Sequence, residues 1–174
     1  MMDGKADSHP PVLVCEGLCM EFAGNGGERV KALQNLTFTV CRGTVTGLVG
    51  PDGSGKTTLI RLAAGLLTPQ AGKLVVLGRD VGKEPQAVQS RIGYMPQKFG
   101  LYEDLTVREN LELYADIHGI TPAARSERFP LLMRMTGLSP FLHRPAGRLS
   151  GGMKQKLGLA CTLQRAGQAE LLLH

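Results

Sequence analysis

The chain has 174 residues, 43% of them apolar and 20% charged, with a formal net charge of +5. This length suits one domain or slightly more and is sufficient to bury a core. Basic and acidic residues are interspersed with no block of five like charges, which predicts a mixed surface and no nucleic-acid partner. No apolar run of 18 residues and no N-terminal apolar segment occurs, so the sequence predicts neither a membrane span nor a signal peptide.

The N-terminal part of the chain reads as strands and turns. Residues 1–11 are predicted to be a disordered leader. Residues 12–22 are typical of a strand, 23–28 of a turn, and the alternating 36–40 of a second strand. The short apolar run 45–50, bounded by glycine, predicts a third strand.

A helix is predicted directly after this third strand, in "KTTLIRLAAGLL". Leu59, Leu62, Ala63 and Leu66 have the spacing of one apolar helical face, and Gly65 weakens the last turn. Two further strands are predicted, in "KLVVLG" and "IGYMPQ", with a polar, helical stretch between them.

The pattern becomes helical from Thr106, which with Glu109 forms a predicted capping box. The next helical segment contains Pro130, and because an interior proline costs about 3 kcal/mol, a helix restart is expected there. Ser150 is the predicted N-cap of a last helix. Strands that alternate with helices favour a mainly parallel α/β sheet.

The four cysteines Cys15, Cys19, Cys41 and Cys161 do not have the spacing of a zinc site, because no second Cys or His pair follows the first. They are interpreted as small hydrophobic residues in a reducing compartment.

The stretch "GPDGSGKT" at residues 50–57 fits the phosphate-loop pattern G-x-x-x-x-G-K-[ST] in full. Its glycines allow successive N–H groups to point inward at phosphate oxygens, and the following helix adds partial positive charge. Lys56 is predicted to reach the β- and γ-phosphates, and the hydroxyl of Thr57 to ligate Mg²⁺. Whether Asp52 accepts loop N–H bonds or faces the nucleotide stays open.

Two later stretches, "YMPQKFGLYEDLTVRENL" and "LSGGMKQKLGLACTL", resemble the Q-loop and the signature motif of ATP-binding cassette (ABC) ATPases. With the phosphate loop, the resemblance covers roughly residues 12–165 and is nearest to ATP-binding subunits of bacterial multidrug exporters. No N-K-x-D motif of a GTPase is present. The resemblance implies an α/β P-loop NTPase core with a mainly parallel sheet, N-terminal antiparallel strands and a helical subdomain, incomplete at the C-terminus.

The resemblance also implies a division of the chain. Residues 1–11 form the leader, 12–98 the nucleotide-binding core, 99–148 the Q-loop continuation and helical subdomain, and 149–174 the signature helix with the start of a truncated strand. The expected partners are a transmembrane permease and a second ABC ATPase domain arranged head to tail. The expected location is cytoplasmic, peripheral on the inner face of the cell membrane, and the expected function is ATP-driven export.

The family's binding positions transfer residue by residue. The nucleotide-binding positions are Phe22, Val30, Gly50, Gly53, Ser54, Gly55, Lys56, Thr57, Thr58, Ser150, Gly151 and Gly152. The resemblance implies that Phe22 stacks on adenine, although a core phenylalanine ending a strand is the alternative. Gln97 is implied to contact Mg²⁺ or the attacking water, and it is the one catalytic position expected in this chain. Met153 departs from the family pattern, in which Gln is common.

The family's acidic pair, Asp-Glu after an apolar strand, does not follow Leu171–Leu173, where His174 stands instead. Binding of ATP and Mg²⁺ is therefore expected to be weak, and turnover of the 174 residues by themselves near zero. Two alternatives to a transporter subunit stay open. One is a non-hydrolytic nucleotide-binding remnant, and the other is a soluble, non-transport ABC protein acting on the ribosome or DNA.

Overall fold

The structure is a computed structural model that describes residues 10–97, 100–164 and 170–173. It divides into two compact units, residues 1–92 and 93–174. The first nine residues of the predicted leader lie outside the described residues, and Pro11 already begins the first strand.

A four-stranded antiparallel sheet forms the frame of the first unit. Strands β1 (Pro11–Ala23) and β2 (Arg29–Cys41) form a long hairpin that turns through Asn25–Gly27. Strand β3 (Ala71–Val76) pairs with the other edge of β1, and β4 (Arg79–Asp80) pairs with β3. The order is β2-β1-β3-β4, so the predicted N-terminal antiparallel strands are confirmed.

In the described part of this unit, the α-helices are α1 (Lys56–Ala63) and α2 (Pro85–Gln89). Leu59, Leu62 and Ala63 are buried, as their spacing predicts. The prediction was wrong for Leu66, which is half exposed. Gly65 adopts a left-handed φ of 67°, and the chain leaves the helix before Leu66 can join the apolar face.

The predicted strand at residues 45–50 does not form, and Val45 and Val49 are almost completely exposed. A strand is stable only when its N–H and C=O groups pair with a neighbour. Within residues 10–97, 100–164 and 170–173, no strand pairs with this segment. Residues 45–50 therefore have the apolar pattern of a strand but lack the backbone pairing that a strand requires.

Strand β5 (Ile92–Tyr94) pairs with β6 (Leu171–Leu173) in a two-stranded sheet. The pairing is extended by the Met95 N–H group, which donates to the carbonyl oxygen of Leu173 at 2.8 Å. Leu171, Leu172 and Leu173 thus form the strand that their apolar character predicts.

The described residues of the second unit form helices α3 (Val107–Ile117), α4 (Pro122–Thr136) and α5 (Gly151–Leu163). Short 3-10 turns at Ser139–Phe141 and Ala146–Arg148 join α4 to α5. All three helices contribute buried apolar side chains to one core. The core residues are Val107, Leu111, Leu132, Met133, Leu138, Ala146, Leu149, Leu157, Ala160 and Cys161.

Helix α4 continues through Pro130, so the expected restart of the helix was wrong. Proline at this position removes the hydrogen bond to the carbonyl group of Ser126. Both Pro130 and Ser126 are exposed, so water can solvate the carbonyl group that proline leaves unbonded. None of the helices in the described ranges is long and apolar enough to span a membrane.

Candidate nucleotide-binding site

The loop before α1 has the backbone conformation that its glycines permit. Gly53 and Gly55 have left-handed φ angles of 79° and 86°. This region is open to glycine and strained for residues with a Cβ atom. The Ser54 N–H group donates to the Pro51 carbonyl at 3.3 Å and closes a tight turn within the loop. The loop therefore curls back before α1 begins at Lys56.

Gly55 fixes the loop against β2. A Cβ atom built on Gly55 would lie 2.2 Å from the carbonyl oxygen of Ala32 and 2.9 Å from a methyl carbon of Leu33. No side chain can enter such a space without displacing the backbone of β2. Glycine is thus required here by both its conformation and its close approach to the strand.

The ammonium group of Lys56 lies over the loop. It donates to the carbonyl oxygens of Gly50 at 2.7 Å and Pro51 at 2.6 Å, and it lies 3.4 Å from the Ser54 hydroxyl. These acceptors come from the same stretch of backbone that curls before α1. The positive charge of Lys56 therefore lies beside the loop, where an anionic ligand can replace the carbonyl groups as its hydrogen-bond acceptor.

The N-terminus of α1 has no side-chain cap, since its N-cap residue is Gly55. By contrast, α3, α4 and α5 are capped by Thr106, Thr121 and Ser150. The first N–H groups of a helix have no acceptor within the helix, and they carry the positive end of its dipole. The arrangement at α1 therefore leaves donors available to an anion, with Thr57 exposed and Thr58 half-buried in the same first turn.

Phe22 and Val30 are direct cross-strand partners near the tip of the β1–β2 hairpin. Their side chains are 40% and 56% exposed, which is high for large apolar residues. Val30 precedes Ala32 by two residues, about 7 Å along a strand. Strand β2, which supports the phosphate loop, thus also carries Val30, and Phe22 lies opposite it on β1.

The other predicted positions lie in the second unit. Gln97 is exposed and follows Met95 by two residues. Ser150 caps α5 by accepting a hydrogen bond from the Met153 N–H group at 3.3 Å. Gly151 and Gly152 are exposed in the first turn of α5, and a Cβ atom on either would meet no described atom within 4 Å. The chain's own described packing therefore does not require glycine at these two positions.

The structure thus places one set of predicted residues in the first unit, on the β1–β2 hairpin, in the loop and in the first turn of α1, namely Phe22, Val30, Gly50, Gly53, Ser54, Gly55, Lys56, Thr57 and Thr58. It also shows two residues beside this site that sequence patterns do not single out. Ala32 supports Gly55 through its backbone, which no sequence pattern encodes. Gln70 binds the backbone next to Phe22, but within "TPQAG" it has only the signal of a helix end.

Comparison with known proteins gives the family. The model of the ABC transporter family matches residues 33–173. The probable multidrug ABC transporter ATP-binding protein YbhF of Escherichia coli (strain K12) is 54% identical over 93% of this chain and 27% of its own length. The daunorubicin resistance ATP-binding protein DrrA3 of Streptomyces coeruleorubidus is 41% identical over 76% of this chain and 42% of its own length.

The fold agrees with a solved structure described as the ATP-binding subunit of an ABC transporter. That structure superposes with a TM-score of 0.71 at 28% identity, over 93% of this chain and 78% of the solved chain. The likeness confirms the predicted fold class, and the relatives confirm the resemblance read from the three motifs. The 174 residues span less than half the length of the two curated relatives. The chain belongs to the ABC transporter family.

Proposed function

We propose that this chain binds ATP at the loop of residues 50–58 and acts as the ATP-binding part of an ABC exporter. In that role it would couple ATP binding and hydrolysis to transport through a membrane permease. The observation that carries the proposal is the placement of the Lys56 ammonium over a glycine loop that leads into an uncapped helix. A phosphate chain is favoured at this loop by the charge of the lysine, by the N–H groups of the loop and by the dipole of the helix.

The base of the nucleotide would lie on the exposed pair Phe22 and Val30. Both are on the hairpin whose strand β2 supports Gly55, so the base and the phosphates would be bound by one unit of the chain. An aromatic face gives stacking energy to any purine, and burial of Val30 adds an apolar contact. This supports a nucleoside triphosphate as ligand in preference to an isolated phosphate.

Mg²⁺ fits the chemistry of the loop, because the Thr57 hydroxyl in the first turn of α1 is a hard oxygen ligand next to the phosphate position. The Thr57 hydroxyl would help to hold the ion, and the ion would supply positive charge that offsets the charge of the phosphates. The amide oxygen of Gln97 is the second ligand that the family resemblance implies, and this role remains a prediction.

The two exposed glycines in the first turn of α5, directly after the Ser150 cap, support a partner that approaches from outside. Gly151 and Gly152 have no side chain in the first turn of α5, and the described residues leave the space in front of them open. We infer that a phosphate of ATP held by a second ABC ATPase domain approaches these glycines and the Ser150 hydroxyl. The permease would contact the helical part of the chain, on the cytoplasmic face of the membrane.

Titration with a fluorescent ATP analogue tests the proposal, using wild type, Lys56→Ala and Lys73→Ala. Lys73 is an exposed lysine of β3 and serves as the matched control. Loss of a charge-assisted contact of about 1.5–3 kcal/mol predicts roughly 10- to 100-fold weaker binding for Lys56→Ala. Lys73→Ala should keep the wild-type affinity. An unchanged affinity for Lys56→Ala would overturn the proposal.

A further inference from the structure

The side-chain amide of Gln70 forms two hydrogen bonds with the backbone of Glu21. The Glu21 N–H group donates to Oε1 of Gln70 at 2.6 Å, and Nε2 of Gln70 donates to the Glu21 carbonyl at 2.9 Å. A primary amide reproduces the donor and acceptor of a peptide group, so this pair imitates one step of a β-ladder.

This pair lies where β1 loses its pairing with β3. The last residues that pair between β1 and β3 are Cys19 and Ala71. Beyond that point β1 pairs only with β2, and a two-stranded ribbon by itself is marginally stable in water. Gln70, directly before β3, supplies through its side chain the neighbour that the strand backbone no longer provides.

Phe22 follows Glu21 directly, on the ribbon that Gln70 holds. Glu21 also forms an ion pair with β2, in which the Arg29 guanidinium is 3.5 Å from the Glu21 carboxylate. Arg29 precedes Val30, the cross-strand partner of Phe22. Gln70 thus binds the backbone of Glu21 and Arg29 lies beside its carboxylate, next to the exposed apolar pair.

We propose that Gln70 is a positioning residue for adenine, which acts by fixing the backbone that carries Phe22. The inference rests on the proposed function, since it concerns the base half of the same ATP site. In this proposal Lys56 and the loop bind the phosphates, whereas Gln70 affects the part of the affinity that comes from the base. Loss of Gln70 therefore lowers affinity for ATP and leaves affinity for a bare phosphate chain unchanged.

The experiment measures the dissociation constants of ATP and of inorganic tripolyphosphate for the full chain by calorimetry. The variants are Gln70→Leu, Gln70→Glu, Phe22→Ala and the double variant Phe22→Ala/Gln70→Leu. Gln34→Leu is the matched control, because Gln34 is an exposed glutamine of β2 in the same unit. Gln70→Glu retains an acceptor for the Glu21 N–H group but has no donor for the Glu21 carbonyl.

Stacking of one base contributes roughly 5- to 100-fold to affinity, so wild type should prefer ATP over tripolyphosphate by about that ratio. Gln70→Leu should lower the ratio at least about threefold, with Gln70→Glu intermediate and tripolyphosphate affinity within about twofold of wild type. The double variant should be no worse than Phe22→Ala. Gln34→Leu should match wild type.

If both Gln70 variants keep the wild-type ratio of ATP affinity to tripolyphosphate affinity, the inference about Gln70 is overturned. The proposal that the chain binds ATP is not affected by that result. Additive losses in the double variant would also overturn it, because Gln70 would then act independently of Phe22. If wild type binds neither ATP nor tripolyphosphate, the proposed function itself fails, and the inference fails with it. The two failures are therefore distinguishable.

Discussion

The Lys154 ammonium lies 2.6 Å from the Glu103 carboxylate and joins the segment before α3 to the first turn of α5. The backbone of Glu103 takes part as well, since its carbonyl accepts a hydrogen bond from the Gly147 N–H group at 2.8 Å. The Ala146 N–H group donates to Leu105 at 2.8 Å in the same way. Segment 103–105 therefore holds the turn that leads into Ser150 and the glycines of α5.

Glu103→Gln should loosen this first turn, because the amide cannot pair with the Lys154 charge. An exposed ion pair contributes about 0.2–1 kcal/mol, so amide exchange at residues 151–154 should rise by up to about fivefold. Hydrogen exchange with mass spectrometry measures this directly. Glu112→Gln is the control, since it removes an equally short pair with Arg108 on α3. Equal exchange at residues 151–154 in both variants would contradict the assignment.

Thr106 and Glu109 form the predicted capping box at the start of α3. The Thr106 N–H and hydroxyl groups donate to the Glu109 carboxylate at 2.8 and 2.7 Å. These hydrogen bonds, first from the side chain and then from the backbone of Thr106, lower the pKa of Glu109. A lowered folded-state pKa means that the contribution to stability is present above the unfolded pKa, and is lost as pH falls through the folded pKa.

Glu109→Gln should therefore be less stable than wild type at pH 7, and the difference should shrink as the pH falls below about 4.3, the ordinary pKa of glutamate. Urea unfolding at several pH values measures the difference in free energy of unfolding. The same substitution in a Thr106→Ala background should show a much weaker pH dependence, because the carboxylate has lost the hydroxyl donor. A difference that is constant with pH in both backgrounds would exclude the carboxylate as the titrating group.

Local patterns predicted those parts of the fold whose stability is local. The capping box at Thr106 and the buried face of Leu59 and Leu62 follow from spacing alone, and both are confirmed. Residues 45–50 have an equally good apolar pattern, but no described strand pairs with them. A strand forms only when a partner from elsewhere in the sequence pairs with it. Helix α4 continues through Pro130 because that position faces solvent. Neither condition is visible in a short window of sequence.

The candidate site shows the same division. The glycines and lysine of the phosphate loop have fixed spacing because they belong to one turn, so a motif finds them. The support for that turn comes from the backbone of Ala32, and the support for Phe22 from Gln70, which lies 49 residues from Glu21 in sequence. Contacts of this kind depend on strand register, which the sequence specifies only through the complete fold.

Pro130→Ala should stabilise the second unit. Alanine restores the N–H donor to the carbonyl group of Ser126 in a helix that already has the required shape. Since proline in a helix interior is about 3 kcal/mol less favourable than alanine, a gain of roughly 1–3 kcal/mol in the free energy of unfolding is expected. Leu131→Ala at the neighbouring exposed position has no such hydrogen bond to restore and serves as the control. A loss of stability in Pro130→Ala would show that the proline is needed by the fold.

Gln164 is completely buried at the end of α5. Its Nε2 atom donates to the Leu111 carbonyl at 3.0 Å, but its Oε1 atom is buried with no hydrogen-bond partner among the described residues. A buried acceptor without a partner costs about 1–3 kcal/mol, whereas methionine fills a similar volume without a strong polar group. Gln164→Met should therefore raise the free energy of unfolding by about 1 kcal/mol in a urea titration. Gln155→Met, at an exposed glutamine of the same helix, should leave it within about 0.5 kcal/mol of wild type. A destabilised Gln164→Met would mean that the bond to Leu111 outweighs the burial of the unpaired oxygen.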